Sequence, residues 1–338
     1  MLNISTDSYK KIGISLVIGM IASVIVTFLF FVYFRQRFFD EIAVWQYKST
    51  VEIVSLVNRA GMNENGKFYF IASKPKLYSK EEASDFNKVC VRTESTTAIL
   101  GCYRAAKIYI YKVTDNQLDG INEVTAAHEM LHAVYDRMSD DEKQMVNKLI
   151  EDEFSNNANN KDFTSLMDYY NHSEPGQRDK ELFSIIGTTV AGVSIKLEDY
   201  YVKYFSNRQN VVDLSAKYKS VFATLKNRAD ELLNKIDTLS AYILSKSDKY
   251  NINTKNLNDK ITNFNNRLNS GAIKSQWQIN SEKSALLRDS DNLDSEKKGI
   301  QSAIDSYQAM QNEYNSIASE SQQLTMNIDS NLATVVPL

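Results

Sequence analysis

A seven-residue spacing of apolar side chains runs through the last third of the chain and dictates long helices there. Phe222, Ala229, Ile236, Ile243, Tyr250, Leu257 and Phe264 follow one another without a miss. Leu225, Leu232 and Leu239 supply a second seam position until Lys246 and Asn253 weaken it. A strict seven-residue period keeps one apolar stripe along a slightly underwound helix, which must then pair along its length. Asn269-Ser270-Gly271 interrupts the pattern, and Ile279, Leu286, Leu293, Ile300, Tyr307 and Tyr314 resume it with a poorer second seam position. Two arms of similar length predict an antiparallel helical coiled-coil hairpin over residues 208–338, turning near Gly271. Each arm would extend roughly 80 Å. The same pattern also suits a coil that pairs with another chain, which would make the coil the place where a protein partner binds.

The N-terminal end imposes a second constraint. Residues 12–34 carry no charge and are apolar almost throughout. As a helix they span roughly 35 Å, enough to cross the hydrocarbon core of a bilayer, and they predict a single-pass transmembrane helix after a short tail, residues 1–11. A cleaved signal peptide is the competing reading, disfavoured because Arg35-Gln36-Arg37 follows where small residues belong. Lys10 and Lys11 lie before the span and Arg35, Arg37 and Lys48 after it, so basic residues do not decide the orientation. The expected location is the cell membrane with the bulk of the chain outside the cytoplasm, a choice resting partly on Cys90 and Cys102. Two cysteines are too few for a disulfide framework, but they can form one bridge in an oxidising compartment. The balance of 39 basic and 42 acidic residues, with no long basic run, excludes nucleic acid as a partner.

Between these ends, residues 35–207 predict an α+β catalytic domain. Phe38, Ile42, Trp45, Val54 and Val57 recur at helical spacing over 35–58, before Asn63-Glu64-Asn65-Gly66 breaks the helix. Lys67-Phe68-Tyr69-Phe70-Ile71 reads as a strand closed by Pro75. Ser79-Lys80-Glu81-Glu82 is a capping box opening a short helix toward Val89. Residues 98–103 and 107–113 read as two strands joined by a tight turn around Arg104-Ala105-Ala106. Asp119 can cap the next helix, and Ser139-Asp140-Asp141-Glu142 is a capping box for the one after it. Further helices are expected at 164–170, 178–193 and 197–205. A small sheet followed by helices is an α+β arrangement.

Chemistry concentrates at His128-Glu129-Met130-Leu131-His132. Residues four apart on a helix share one face, so both imidazoles can reach a single metal ion. Glu129 then stands where its carboxylate can take a proton from a water activated by that ion. The chain holds only three histidines, and two of them are here. A catalytic zinc site takes three protein ligands, so a third must come from elsewhere. A third histidine six residues past the second is absent, since that position is Met138. His172 lies in a turn-rich stretch that holds a side chain less rigidly. Glu181 begins an apolar helical segment, where a buried carboxylate needs a partner such as a metal ion. Glu181 is equally explained as an acidic residue favoured at a helix N-terminus.

His-Glu-x-x-His followed by a downstream helix carrying Glu181-Leu182-Phe183-Ser184 is similar to the gluzincin class of zinc metallopeptidases. The stretch His128 to Arg137, then Glu174-Pro175-Gly176 and Glu181-Leu182-Phe183-Ser184-Ile185-Ile186-Gly187-Thr188, looks more closely like a group of membrane-anchored bacterial metallopeptidases. The resemblance covers roughly residues 66–205 and not the coiled-coil arms. It implies a zincin-like fold, Zn2+ as cofactor, Glu181 as third ligand, and the strand over 107–113 as the edge that binds extended peptide. In thermolysin-like members an Asp four residues after the ligand Glu orients a zinc-bound imidazole. Ile185 occupies that position here, so another group must hold the imidazoles, and Asp136, one turn after His132, is a candidate. Tyr169, Tyr170, His172 and Arg178 are candidate donors to the developing oxyanion.

The expected function is therefore a membrane-anchored zinc metallopeptidase that cuts peptide or protein substrates with Glu129 as general base. Two other functions fit the same residues. One is a membrane-tethered structural or interaction protein with an inert metal site, and the other a zinc hydrolase acting on a different cell-envelope substrate.

Overall fold

A computed structural model describes residues 6–91, 98–157, 164 and 176–332, and in the first helix the side chains of 16–27 and from 34 onward. The chain divides into two units, Met1–Lys219 with Thr325–Leu338, and Ser220–Leu324. The first unit contains α1 (Thr6–Gln46), α2 (Val51–Arg59), α3 (Glu64–Ala72), β1 (Lys76–Tyr78), α4 (Ala83–Val89), β2 (Gly101–Arg104), β3 (Lys107–Tyr111), α5 (Ile121–Asp136), α6 (Asp140–Asn156), α7 (Arg178–Thr189) and α8 (Ile195–Tyr201). β1 pairs parallel and β2 antiparallel with β3, in the order β1-β3-β2.

The expected α+β class gives way to a mainly helical one, with 77% of the structure in helices and, among the described residues, only a three-stranded sheet. The segment expected as a strand at 67–71 lies inside α3. Asn63 caps that helix, its side-chain oxygen accepting from the N–H groups of Asn65 and Gly66 at 2.9 and 3.0 Å. Gly66 lets α3 approach the carbonyl oxygen of Tyr204, to which a Cβ would come within 2.2 Å. A short apolar run has no period of its own to choose between strand and helix, so cap and packing choose. The helix expected over 35–58 is two: α1 ends at Gln46, and Thr50 caps α2 by accepting from the Ile53 N–H at 3.3 Å. The capping box at Ser79 forms, with Glu82 accepting from the Ser79 N–H at 3.0 Å.

The membrane span expected at 12–34, and the single-pass cell-membrane location built on it, are overturned. Among the described residues no helix is long and apolar enough to cross a membrane. The apolar run lies within α1. The same helix continues unbroken past Arg35 and Arg37 to Gln46. There Asp40 is buried and accepts from Arg137 through both oxygens, at 2.8 and 2.9 Å. A third guanidinium nitrogen of Arg137 donates to the Tyr103 hydroxyl at 3.1 Å, so one side chain joins α1, α5 and β2.

The core centres on α5, where Ala126, Ala127, Met130, Leu131 and Ala133 are fully buried between the sheet, α3 and α7. Each fully buried large apolar side chain contributes roughly 1.5–3 kcal/mol. Gly187 brings α7 close to α5, since a Cβ there would meet Leu131 at 2.4 Å and Tyr201 at 2.8 Å. Arg208 closes the C-terminal end of α7, donating to the Val190 carbonyl at 2.8 Å while Glu198 balances its charge. A cation at exposed helix carbonyls is the favourable sign there.

The second unit is a helical hairpin made by α9 (Gln209–Asn269) and α10 (Gln276–Ile328). Gly271 makes the turn with φ of 71°. Arg228 meets Glu313 at 3.3 Å, Asn253 donates to Glu296 at 3.1 Å, Lys260 meets Asp289 at 2.8 Å, and Arg267 meets Glu282. One number rises as the other falls, so the arms are antiparallel. The last three acidic partners are spaced by seven, which explains the poorer second seam position near the turn. Polar pairs there set register in place of apolar contacts. Beyond Thr325 the chain belongs to the first unit again. Asn87 donates to the Ser330 carbonyl at 3.1 Å and accepts from its hydroxyl at 2.6 Å.

Candidate metal centre

The motif helix α5 is anchored before it reaches the site. Its N-cap is Gly120, with φ of 103°, rather than the expected Asp119. Asp119 instead pairs with Arg59 at 2.6 Å and Lys217 at 2.7 Å. Asn122 donates to the Val113 carbonyl at 2.7 Å and accepts from the Val113 N–H at 2.9 Å, which fixes the start of α5 to the end of β3. Two turns on, His128 and His132 stack on one face, with ring centroids 4.5 Å apart and rings nearly perpendicular at 89°.

α7 brings Glu181 opposite them. Its Oε1 lies 3.1 Å from Nε2 of His132 and its Oε2 lies 3.4 Å from Nε2 of His128. One ligand atom from each of the three residues falls within 4.8 Å of the others. Burial works against ionisation of Glu181, but the imidazoles outweigh it and hold the carboxyl well below the usual carboxylate range. Burial in turn lowers the pKa of His132. An anionic carboxylate beside neutral imidazole is the protonation state that a metal ion requires. The Oε2 of Glu181 is buried and has beside it the 3.4 Å approach of His128 Nε2, too long for a good hydrogen bond, which leaves room for a cation to take it up. The buried group of His128, His132 and Glu181 can hold a metal ion.

Glu129 is buried beside this group. It lies against Gly101 of β2, where a Cβ would come within 2.9 Å of Oε1 and 2.6 Å of the Thr125 methyl. Only a residue without a side chain lets the strand approach so closely. β3, expected to be the peptide-binding edge, is the central strand, and β2 is the edge beside α5. β3 is paired on both sides, so its backbone groups are already used. Cys90 and Cys102 are joined by a disulfide, with Cα atoms 5.8 Å apart, tying the end of α4 to β2.

Other expected residues are elsewhere. Asp136 meets Lys180 at 3.3 Å and does not orient an imidazole. Arg178 pairs with Glu151 and lies 3.7 Å from Asp179 at the start of α7. His172, Tyr169 and Tyr170 lie outside the described residues, as does the helix expected at 164–170 apart from Thr164. The side chain at Nδ1 of His132 is that of Ser184, whose hydroxyl is 3.1 Å away. Ser184 follows Glu181 by three residues and so shares its helix face, a spacing that does not by itself name the ring it meets.

No family model matches the chain, and no curated protein or solved structure matches it. Fold and site together define a mainly helical protein whose buried His-His-Glu group can hold a metal ion.

Proposed function

We propose that the chain is a zinc-dependent peptidase of the gluzincin type, hydrolysing peptide bonds with Glu129 as general base. The observation that carries this reading is the convergence of His128, His132 and Glu181 with Glu129 next to them on α5. Two imidazoles and one carboxylate form a donor set suited to catalytic zinc. A zinc ion held there would supply Lewis acidity to a water and to the scissile carbonyl. Glu129 takes the proton released by the attacking water and passes it to the leaving amine. Its burial keeps bulk water from competing for that proton.

The edge strand β2 supports the choice of an extended peptide as substrate. The Tyr111 N–H donates to the Leu100 carbonyl at 2.8 Å, and Gly101 lies opposite Ile110 in the next pair. Hydrogen-bonded and free pairs alternate along an antiparallel ladder, so Gly101 and Tyr103 turn their backbone groups away from β3. A peptide adding to that edge meets Gly101, which lies against Glu129.

The test is zinc content and peptide cleavage by the full chain and its Glu129→Gln variant. Stoichiometric zinc in both, with cleavage reduced roughly 10²- to 10⁴-fold in the variant, is expected. Zinc without cleavage of a broad peptide library would make the centre structural instead.

A further inference from the structure

His132 needs a different proton arrangement with and without a metal ion, and Ser184 is built to serve both. Nε2 lies 3.1 Å from Glu181 Oε1, so a neutral ring that donates to the carboxylate carries its proton on Nε2. Nδ1 is then an acceptor, and the Ser184 hydroxyl 3.1 Å away donates to it. An ion at Nε2 needs the lone pair of that atom, so the neutral ring must carry its proton on Nδ1 instead. A carboxylate at the position of Ser184 could only accept, and a backbone N–H could only donate. A hydroxyl does either by rotating about its C–O bond.

We infer that Ser184 is the positioning residue of the centre, exchanging donor for acceptor at Nδ1 of His132 when an ion is taken up. The ring loses the proton on Nε2 and gains one on Nδ1, so its charge is unchanged and the ring need not move. The surroundings of Ser184 favour this role. It is fully buried, it sits one turn beyond Glu181 on α7, and its carbonyl accepts from the Thr188 hydroxyl at 2.8 Å. The inference rests on the reading of His128, His132 and Glu181 as metal ligands.

The experiment uses the full chain labelled with 15N-histidine, in which only three rings report. Long-range 1H–15N spectra are recorded metal-free and with one equivalent of Zn2+, and zinc affinity is measured by chelator competition for wild type, Ser184→Ala and Ser184→Thr. The expected result is a His132 proton on Nε2 without metal and on Nδ1 with it. Affinity should fall roughly 10- to 100-fold in Ser184→Ala and return to within a few-fold in Ser184→Thr. A proton already on Nδ1 in the metal-free wild type overturns the exchange, and that measurement needs no variant to fold. Equal zinc affinity in wild type and Ser184→Ala overturns the role of Ser184 alone. No zinc binding by wild type overturns the metal reading, and this inference with it.

Discussion

At Glu181 burial and charge pull in opposite directions, and the imidazoles decide the outcome. Tyrosines on and just after α8 lack such compensation. The Tyr200 hydroxyl donates to Glu142 at 2.9 Å and lies 3.4 Å from that of Tyr204. Burial pushes the Tyr200 phenol far above its ordinary range and Tyr204 up to about 12. A tyrosine exposed by unfolding ionises near 10. Retention of the Tyr204 proton therefore stabilises the fold fully below about pH 10, and that contribution is lost as pH rises through about 12. Urea unfolding at several values between about pH 9 and 12 should show wild-type stability falling, and falling less steeply in Tyr204→Phe. Equal slopes would remove Tyr204 from the account. At this scale His128 and His132 were legible from their spacing on one helix face, whereas Glu181 stood open between a metal partner and a helix N-terminal charge. Ser184 was harder to read, since nothing in a lone serine says which ring it will touch.

Among the elements, the β2–β3 hairpin was legible and its cost was not. Ala105 and Ala106 have φ of 50° and 57°, the two positive values that a two-residue type I′ turn demands. An alanine there crowds its Cβ against the backbone, where asparagine and glycine do not. The double variant Ala105→Asn with Ala106→Gly should stabilise the first unit by about 1 kcal/mol, read as a rise of about 2–4 °C in Tm. An unchanged Tm would mean that the turn is not strained. α3 was misread for a reason at the same scale. Lys67 to Ile71 has β propensity, but Asn63 offers the helix its first hydrogen bonds and Gly66 its packing against Tyr204. Propensity loses when cap and packing agree against it.

In the whole molecule, the chain leaves the first unit near Ser220 and re-enters it at Thr325. A heptad register cannot announce this return, because it describes how a helix pairs and not where the chain goes afterwards. Asp329 and Ser330 are buried, and Ser330 exchanges two hydrogen bonds with Asn87 on α4. Truncation after Leu324 should therefore lower the Tm of the first unit by on the order of 5 °C, since it leaves a formerly paired Asn87 and an uncovered surface. Calorimetry of the truncated chain checks this, and a Tm equal to that of the full chain would show that the tail contributes nothing.

Local patterns in the sequence determined the long helices, the turn at Gly271, the capping box at Ser79 and the two imidazoles one turn apart. Each of these depends on residues within a few turns of one another, where spacing alone sets geometry. Only the tertiary structure decided the mainly helical class, the central place of β3, the fate of the N-terminal apolar run, and the meeting of Glu181 and Ser184 with His132. Those outcomes depend on which surfaces meet. α7 is brought onto α5 by the absence of a side chain at Gly187, some fifty residues along the chain from the histidines it completes.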